Sequence, residues 1–457
     1  MSPARRSRTP LRLTLAACLL ATAALSTGGC ADDARRTLVV LGPWTDAEEV
    51  PFEAALAQVS EETGVTYTYK GTRSLRETLV SQIQADAPPD VAILNSIGEL
   101  TEYAYEGAAE PLPPQRRALH RADVLPWAPQ VRQETYWIPV RIDLKSLVWT
   151  RPTRPGAARG AASTSSAPPR EPARPTWCLG MSSGATSGWP GTDWIEDLLL
   201  QRRGAARYEA WATGTTPWTH PDVRRAWEDF GAVLGGLGRD RTRASLTTPY
   251  NAGGLLNPAE GRAECTHEHQ GSFIGLHYAG DPEIRPVPSS GYLPEPAERP
   301  DEARPGEFEV SGDMAAVFKE SDAAWDLLEH LTTEKVRAAW VAKAEERKQQ
   351  RPFFPGNAPR GKGAGTAADV VRQLLHGARQ ICYDASDAMP PTLRTAFYNA
   401  VLDFIEGPRD KPHLDRLLKG LERERRLQDE DRRAGEPVFV ASHLCENPPN
   451  AAAEPGS

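Results

Sequence analysis

Positive charge, metal-ligand clusters and long apolar runs are what this sequence is short of. Its 53 lysines and arginines face 61 aspartates and glutamates, a formal charge of −8 over 457 residues. That balance offers no basic face for nucleic-acid phosphates, whose capture depends on lysine and arginine. Beyond residue 30 no run is long and apolar enough to cross a bilayer. No segment recurs at a fixed period, which argues against a repeat-built adhesin. There is no CxxC pair and no HExxH, and "HEH" at 267–269 puts two imidazoles on one strand face without a third ligand. "GATSG" at 184–188 has Thr186 where a nucleophile elbow needs serine, and "GKGAG" at 361–365 lacks the spacing of a phosphate-binding loop. The pattern therefore requires no cofactor and no metal. The enzymatic alternative left standing is a secreted hydrolase acting on carbohydrate through a carboxylate pair, and no constellation of acids points to one.

What is present begins with an export signal. Arg5, Arg6, Arg8 and Arg12 precede an apolar run at 13–25, and "STGGC" ends at Cys30. A basic start, an apolar run too short to span and small residues before a cut site describe a signal peptide over residues 1–29. A cysteine directly after the small residues marks a lipoprotein, because its thiol can be acylated and become the new N-terminus. Cys30 is thus the expected lipid anchor at the outer face of the cytoplasmic membrane, with residues 30–36 as a tether; acyl chains contribute about 0.8 kcal/mol per buried methylene. The third position before the cysteine is Thr27 rather than the usual leucine, and no apolar pair follows Arg5-Arg6, so the Sec and twin-arginine routes both stay open. Cleavage removes four basic and no acidic residues, taking the charge from −8 to −12. Cys178, Cys265, Cys382 and Cys445 then remain in an oxidising compartment. Two disulfides are expected, with three possible pairings.

About 400 mature residues exceed one ordinary core and suggest two lobes. "TLVVLGPW" reads as a buried strand at 38–41 running into a loop, and Phe52, Leu56 and Val59 follow at helical spacing up to a Gly64 C-cap. "VTYTY" alternates as a strand. "SLRE" at 74–77 has the form of a capping box opening a second helix, and "PPDVAIL" ends it and starts a strand at 91–94. Strand–helix–strand–helix–strand is the grammar of a parallel sheet covered by helices, in which ligands meet the loops at the carboxyl ends of the strands. "YWIPVRIDLKSLVWT" at 136–150 is extended, and 151–175 is Ala/Ser/Arg/Pro-rich linker composition. The glycine- and threonine-rich stretch at 230–265 reads as loops. Helices are expected at 322–340, 366–380, 391–405 and 414–427, with Leu417, Leu418 and Leu421 on one stripe of the last. Residues 447–457 read as a disordered tail.

Eight collinear blocks carry a resemblance. They are "GPWTDAEEVPFEAAL", "TGVTYTYKGTRSL", "APPDVAIL", "GELTEYAYEGAAEPL", "WIPVRIDLKSLVW", "WCLGMSSGATSGWPGTDWIEDLLL", "CTHEHQGSFI" and "VSGDMAAVF", spread over most of residues 38 to 345. With them the chain resembles the extracellular solute-binding proteins of ABC importers, in the cluster that contains the maltose- and other sugar-binding lipoproteins. It departs from them in the Pro-rich 151–175 stretch, where a helix is usual, and in the charged "AEERKQQRPFFPG" turn. The resemblance implies an α/β, two-lobed periplasmic-binding-protein-like fold of type II with a cleft between lobes. It implies a lobe 1 of residues 37–140 and 306–345, and a lobe 2 of residues 141–305 and 346–446. The chain would cross near 139–144 and return near 307–313. It also implies a monomeric, lipid-anchored receptor that captures a small solute, a sugar or oligosaccharide, and passes it unaltered to ABC permease subunits.

Candidate ligand-binding residues follow. Trp44, after a strand end and a Gly-Pro turn, offers an indole face to the C–H face of a sugar, against the alternative of plugging the strand–helix junction. Arg73 could hold vicinal hydroxyls with its fork or be a solvated charge. Asn95 could recognise hydroxyls or simply make a turn. Trp189 and Trp194 flank a Pro-Gly break at the mouth of lobe 2, where Trp189 suits a ring-stacking wall and Trp194 suits either the wall or the core. Asp193 is a candidate acceptor, although with Glu196 it also fits a helix capping box. Phe273 is placed by the resemblance at a ligand-stacking position, and Asp143 and Asp313 lie by the crossings. Cys178 and Cys265, each preceding one of the lobe 2 loops, are expected to form a disulfide that fixes those loops.

Overall fold

Three short strands with buried apolar residues begin the described chain. β1 (Thr37–Gly42) pairs in parallel with β2 (Thr66–Gly71) on one side and β3 (Val91–Leu94) on the other. The computed structural model describes residues 37–121, 131–151, 175–252, 265–278, 281, 283–293, 306–349, 351–355, 366–433 and 443–446. The export signal at 1–29, the tether with Cys30, nearly all of the 151–175 stretch and the tail at 447–457 lie outside the described residues.

The helix Glu49–Thr63 buries Phe52, Ala55, Leu56 and Val59 on one face and stops at Gly64, whose φ of 74° lets its N–H cap Ser60. The helix Ile97–Glu106 starts where the Ser96 hydroxyl accepts from the Glu99 N–H, a cap contributing about 1 kcal/mol. Ser74 also sits at a helix start, but its side chain makes no cap and the expected box does not form; its N–H instead donates to Thr72.

β4 (Trp137–Leu144) and, after a two-residue corner, β5 (Leu147–Thr150) follow. β6 (Trp177–Cys178), β7 (His267–His269) and β8 (Arg285–Pro288) join β5 in a four-stranded sheet of order β6-β7-β5-β8. The long strand β9 (Glu307–Val317) belongs to both halves. Its C-terminal part pairs antiparallel with β3, while its N-terminal part pairs in parallel with β10 (Gln380–Tyr383), which β11 (Cys445–Glu446) closes. β4 lies antiparallel along the opposite edge of β9 from Trp137 to Leu144. One lobe is thus built on β2-β1-β3 and the end of β9, the other on the four-stranded sheet with β10 and β11, and β4 and β9 run between them.

Helices Glu49–Thr63, Asp322–Leu331 and Glu334–Glu346 cover one face of the first lobe's sheet over a core that includes Trp325, Trp340 and Phe354. The expected single helix at 322–340 is two helices, because Thr333 breaks the run and caps the second through the Val336 N–H. In the second lobe Trp194, Trp211, Trp218, Trp227, Phe230 and Phe397 interlock between helices. The first part of the 230–265 stretch is helical rather than loop, in Pro221–Leu237 and Arg239–Ser245, and residues 253–264 lie outside the described residues. Val223, Ala226, Trp227, Phe230 and Leu234 recur at helical spacing, and burying them outweighs the cost of the glycines. Both disulfides are present, Cys178–Cys265 and Cys382–Cys445. No helix among the described residues is long and apolar enough to cross a membrane.

Candidate functional site

Backbone constraint sets the first wall. Gly188 has a φ of 106°, and a Cβ there would stand 2.6 Å from the Tyr398 carbonyl, so only glycine serves. From it springs the helix Trp189–Ala212, with Trp189 half-buried at its start. The preceding loop is laced to 245–250 by Met181 N–H to Ser245 O (2.9 Å) and Tyr250 N–H to Ser182 O (3.0 Å). This brings the Tyr250 ring 5.2 Å from that of Trp189. Phe273 closes the group at 5.7 Å from Trp189. Its loop is held by Ser272, whose hydroxyl donates to Asp143 at 2.6 Å and accepts from the Leu144 N–H at 3.1 Å. The Cys178–Cys265 bridge joins the strands leading to the two loops. Trp189, Tyr250 and Phe273 form one partly exposed aromatic surface.

The crossing strands supply the polar floor. A bulge between Pro139 and Arg141 shifts the register of β4 on β9 and sets Arg141 opposite Asp313. The Arg141 Nε donates to Asp313 at 2.7 Å, an Nη lies 3.3 Å from Asp143, and 21 % of the side chain stays exposed. Burial works against the guanidinium charge, yet the two carboxylates and Glu48 outweigh it and the net shift is upward. Burial pushes Asp313 up to about 6 against the pull of Arg141. On the first lobe Arg73, 54 % exposed, donates to Glu48 at 2.6 Å and to Thr45 at 3.2 Å. Glu48 and Arg73 act electrostatically on Tyr250 and His277 of the second lobe.

Behind the aromatic surface lies a buried charge cluster. The carboxylates of Asp193, Glu309 and Asp384 come within 4.8 Å of one another. The Lys145 ammonium sits among them, 2.6 Å from Asp193 and 3.2 Å from Asp384, so the cation of this group is the protein's own. Burial raises Asp193 to about 6 in spite of Lys145, and burial together with neighbouring acids holds Glu196 and Glu309 well above the usual carboxylate range.

Of the candidate residues, Trp189 and Phe273 share the aromatic surface, Asp143 and Asp313 flank Arg141 on the crossing strands, and Arg73 pairs with Glu48. Four candidates are placed otherwise. Trp44 is only 2 % exposed, wedged among Phe52, Tyr69 and Trp340, and meets the cleft through the Arg141 guanidinium 4.9 Å over its ring. It is the plug of the strand–helix junction. Asp193 is occupied by Lys145 and lies inside the helix, so neither ligand acceptor nor capping box describes it. The Asn95 amide donates to Asp387 at 3.3 Å across the lobes. Trp194 is core. Tyr250, Arg141, Lys145 and Glu48 were not among the candidates. Tyr250, next to a proline in a polar loop, carried the one signal that could have found it.

A family model described as bacterial extracellular solute-binding protein matches residues 45–338. The chain belongs to this family. This solute-binding protein is 27 % identical over 401 residues to the alpha-glucosides-binding periplasmic protein AglE of Rhizobium meliloti, covering 81 % of this chain and 84 % of that one. It is 27 % identical over 402 residues to the osmoprotective compounds-binding protein GgtB of Synechocystis sp., covering 82 % and 90 %. Among solved structures, a chitin oligosaccharide binding protein superposes with a TM-score of 0.64 at 15 % identity, covering 86 % of this chain and 98 % of its own. The bacterial solute receptor AcbH gives a TM-score of 0.63 at 14 % identity, with 86 % and 99 % covered. The fold is the α/β two-lobed arrangement of type II periplasmic binding proteins, and the family is one of binding proteins.

Proposed function

We propose that this solute-binding protein captures a neutral carbohydrate in the cleft and delivers it unaltered to the permease of an ABC importer. The observation that carries this reading is the partly exposed Trp189–Tyr250–Phe273 surface facing ion-paired side chains. Ring faces desolvate the C–H face of a sugar without competing for its hydroxyls. Arg73 with Glu48 and Arg141 with Asp313 put a donor fork beside an acceptor, which suits hydroxyls, and each cation already has its anion, which leaves none for an acidic solute. AglE, described as binding alpha-glucosides, agrees with a polyhydroxylated ligand. Lobe closure follows as a population shift, because a solute that touches both walls stabilises the closed state. The receptor acts as a monomer tethered through acylated Cys30, and it makes and breaks no bond.

The test is a thermal-shift panel of maltose, trehalose, sucrose and raffinose beside spermidine and a tripeptide. A sugar at a hundred times its Kd should stabilise the fold by about 2.7 kcal/mol and be recovered chemically intact. A shift produced by the amine or peptide alone would overturn the sugar reading, and hydrolysed sugar would overturn the receptor reading.

Asp313 adds a pH dependence. Its folded value of about 6 stands above the ordinary 3.8, so its ionisation costs folding free energy that is absent below about pH 4 and fully present above about pH 6. The ionised form is the one that holds the Arg141 fork. Sugar affinity should therefore weaken as pH falls through about 6, and Asp313→Asn should show the acid-side affinity at every pH. Calorimetric titration from pH 4.5 to 8 reads this directly; a wild-type profile that is flat across the range counts against it.

A further inference from the structure

We propose that Lys145 is a positioning residue, coupling the aromatic wall to the strands that run between the lobes; only the affinity arm of its test rests on the carbohydrate reading. Lys145 stands in the corner between β4 and β5. Its N–H donates to the Glu309 carbonyl at 2.8 Å, and the neighbouring Ser146 hydroxyl accepts from the Glu309 N–H at 2.8 Å, which fastens the corner to β9. The side chain is 5 % exposed and its ammonium lies 4.9 Å from the Trp189 ring centre and 5.5 Å from that of Phe273. The same ammonium holds Asp193, one turn into the helix that Trp189 begins, and Asp384. Three residues beyond Asp384, the Asp387 carboxylate holds Asn95 of the first lobe and its carbonyl accepts from the Ser96 hydroxyl at 3.0 Å.

One cation thus ties together the two ring faces, the start of the Trp189 helix, a crossing strand and the segment that grips the other lobe. An ammonium stripped of water is drawn to ring faces as well as to carboxylates, and the attraction to a ring depends on charge rather than on volume. Turning of β9 with its corner must move the ammonium against the rings or carry the rings along. A solute laid on Trp189 and Phe273 in turn fixes the rings on Lys145. An uncharged side chain of similar length would fill the space and lose this coupling.

The test uses the exported chain labelled with 5-fluorotryptophan, the Trp189 signal being assigned by its loss in Trp189→Phe. Lys145→Met should shift and broaden the Trp189 fluorine resonance while leaving that of Trp340, in the first lobe, unchanged. It should also weaken binding of whichever of maltose, trehalose or sucrose the wild type takes by about tenfold. Adding Asp193→Asn removes an unpaired buried charge, so Lys145→Met/Asp193→Asn should recover melting temperature without recovering affinity. An unmoved Trp189 resonance in Lys145→Met, or affinity that returns together with stability in the double variant, would overturn the proposal. Should Lys145→Met not fold, the double variant carries the same fluorine and affinity readouts. Should the wild type bind no sugar, the carbohydrate reading fails and the fluorine resonance still decides the role of Lys145.

Discussion

Trp189→Ala is expected to weaken sugar binding about 100-fold while changing the melting temperature by no more than a few degrees. The two halves of that expectation have separate causes. The indole is only half-buried in the unliganded chain, and the start of its helix is set by Gly188 and Pro190 rather than by the ring. Truncation therefore opens no closed cavity. In the complex a sugar face would complete the burial, and covering an aromatic side chain contributes about 1.5–3 kcal/mol with about 1.4 kcal/mol per tenfold in Kd. Trp44→Ala should behave in the opposite way. Its ring fills the core between Phe52 and Trp340, so truncation should cost about 3–5 kcal/mol of stability, and affinity should change only through the loosened Arg141. Calorimetric binding and urea unfolding of both variants read the contrast. A Trp189→Ala protein with wild-type affinity would remove the aromatic wall from the site.

The contrast between these tryptophans also shows where sequence reading stops. Both follow a glycine-containing break at an element boundary, and both are large rings next to a proline. What separates them is how far each is covered: Trp44 is closed in among Phe52, Tyr69 and Trp340, the last almost 300 positions away, while Trp189 stays half-buried beside Tyr250 and Phe273. Local pattern was enough for β1 to β3, most of whose apolar residues are buried, and for the existence of the helix Lys411–Arg433, although its buried stripe is Leu414, Leu418 and Leu421, with the expected Leu417 only half-buried. It failed for the charged residues. "RIDLK" spells three ions along one strand with no sign of their partners; Arg141 finds Asp313 on β9, and Lys145 finds Asp193 and Asp384 on two further elements. The pairing of Asp143 with Arg141 rather than with neighbouring Lys145 follows from strand alternation, which sends residues 141 and 143 to one face, while 145 lies beyond the end of the strand, in the corner. Asp193 with Glu196 satisfied a local capping rule that tertiary ion pairing overrode.

Arg394→Met should be the most destabilising single change at the junction between the lobes, costing about 3–5 kcal/mol. Arg394, on the helix Pro391–Glu406, is 8 % exposed, and it donates to Glu99, 4 % exposed, on the helix Ile97–Glu106. It also lies 3.7 Å from Asp387. The two segments touch closely beside this pair, because Gly98 lies against the Met389 carbonyl so tightly that a Cβ would come within 1.9 Å of its oxygen. Water therefore has little room to replace the lost guanidinium, and among the described residues Glu99 would keep only Arg76, 3.9 Å away, as an ion-pair partner. Most of the cost belongs to the stranded carboxylate rather than to the pair itself, since charges leaving water have already given up hydration that their attraction only repays in part. The double variant Arg394→Met/Glu99→Leu should accordingly recover most of the stability in urea unfolding, with a large coupling energy between the two sites. Additive losses instead would mean that the guanidinium serves Asp387 and the neighbouring chain more than Glu99. Because Asp387 also holds Asn95, the single variant should loosen the grip between lobes as well as the fold.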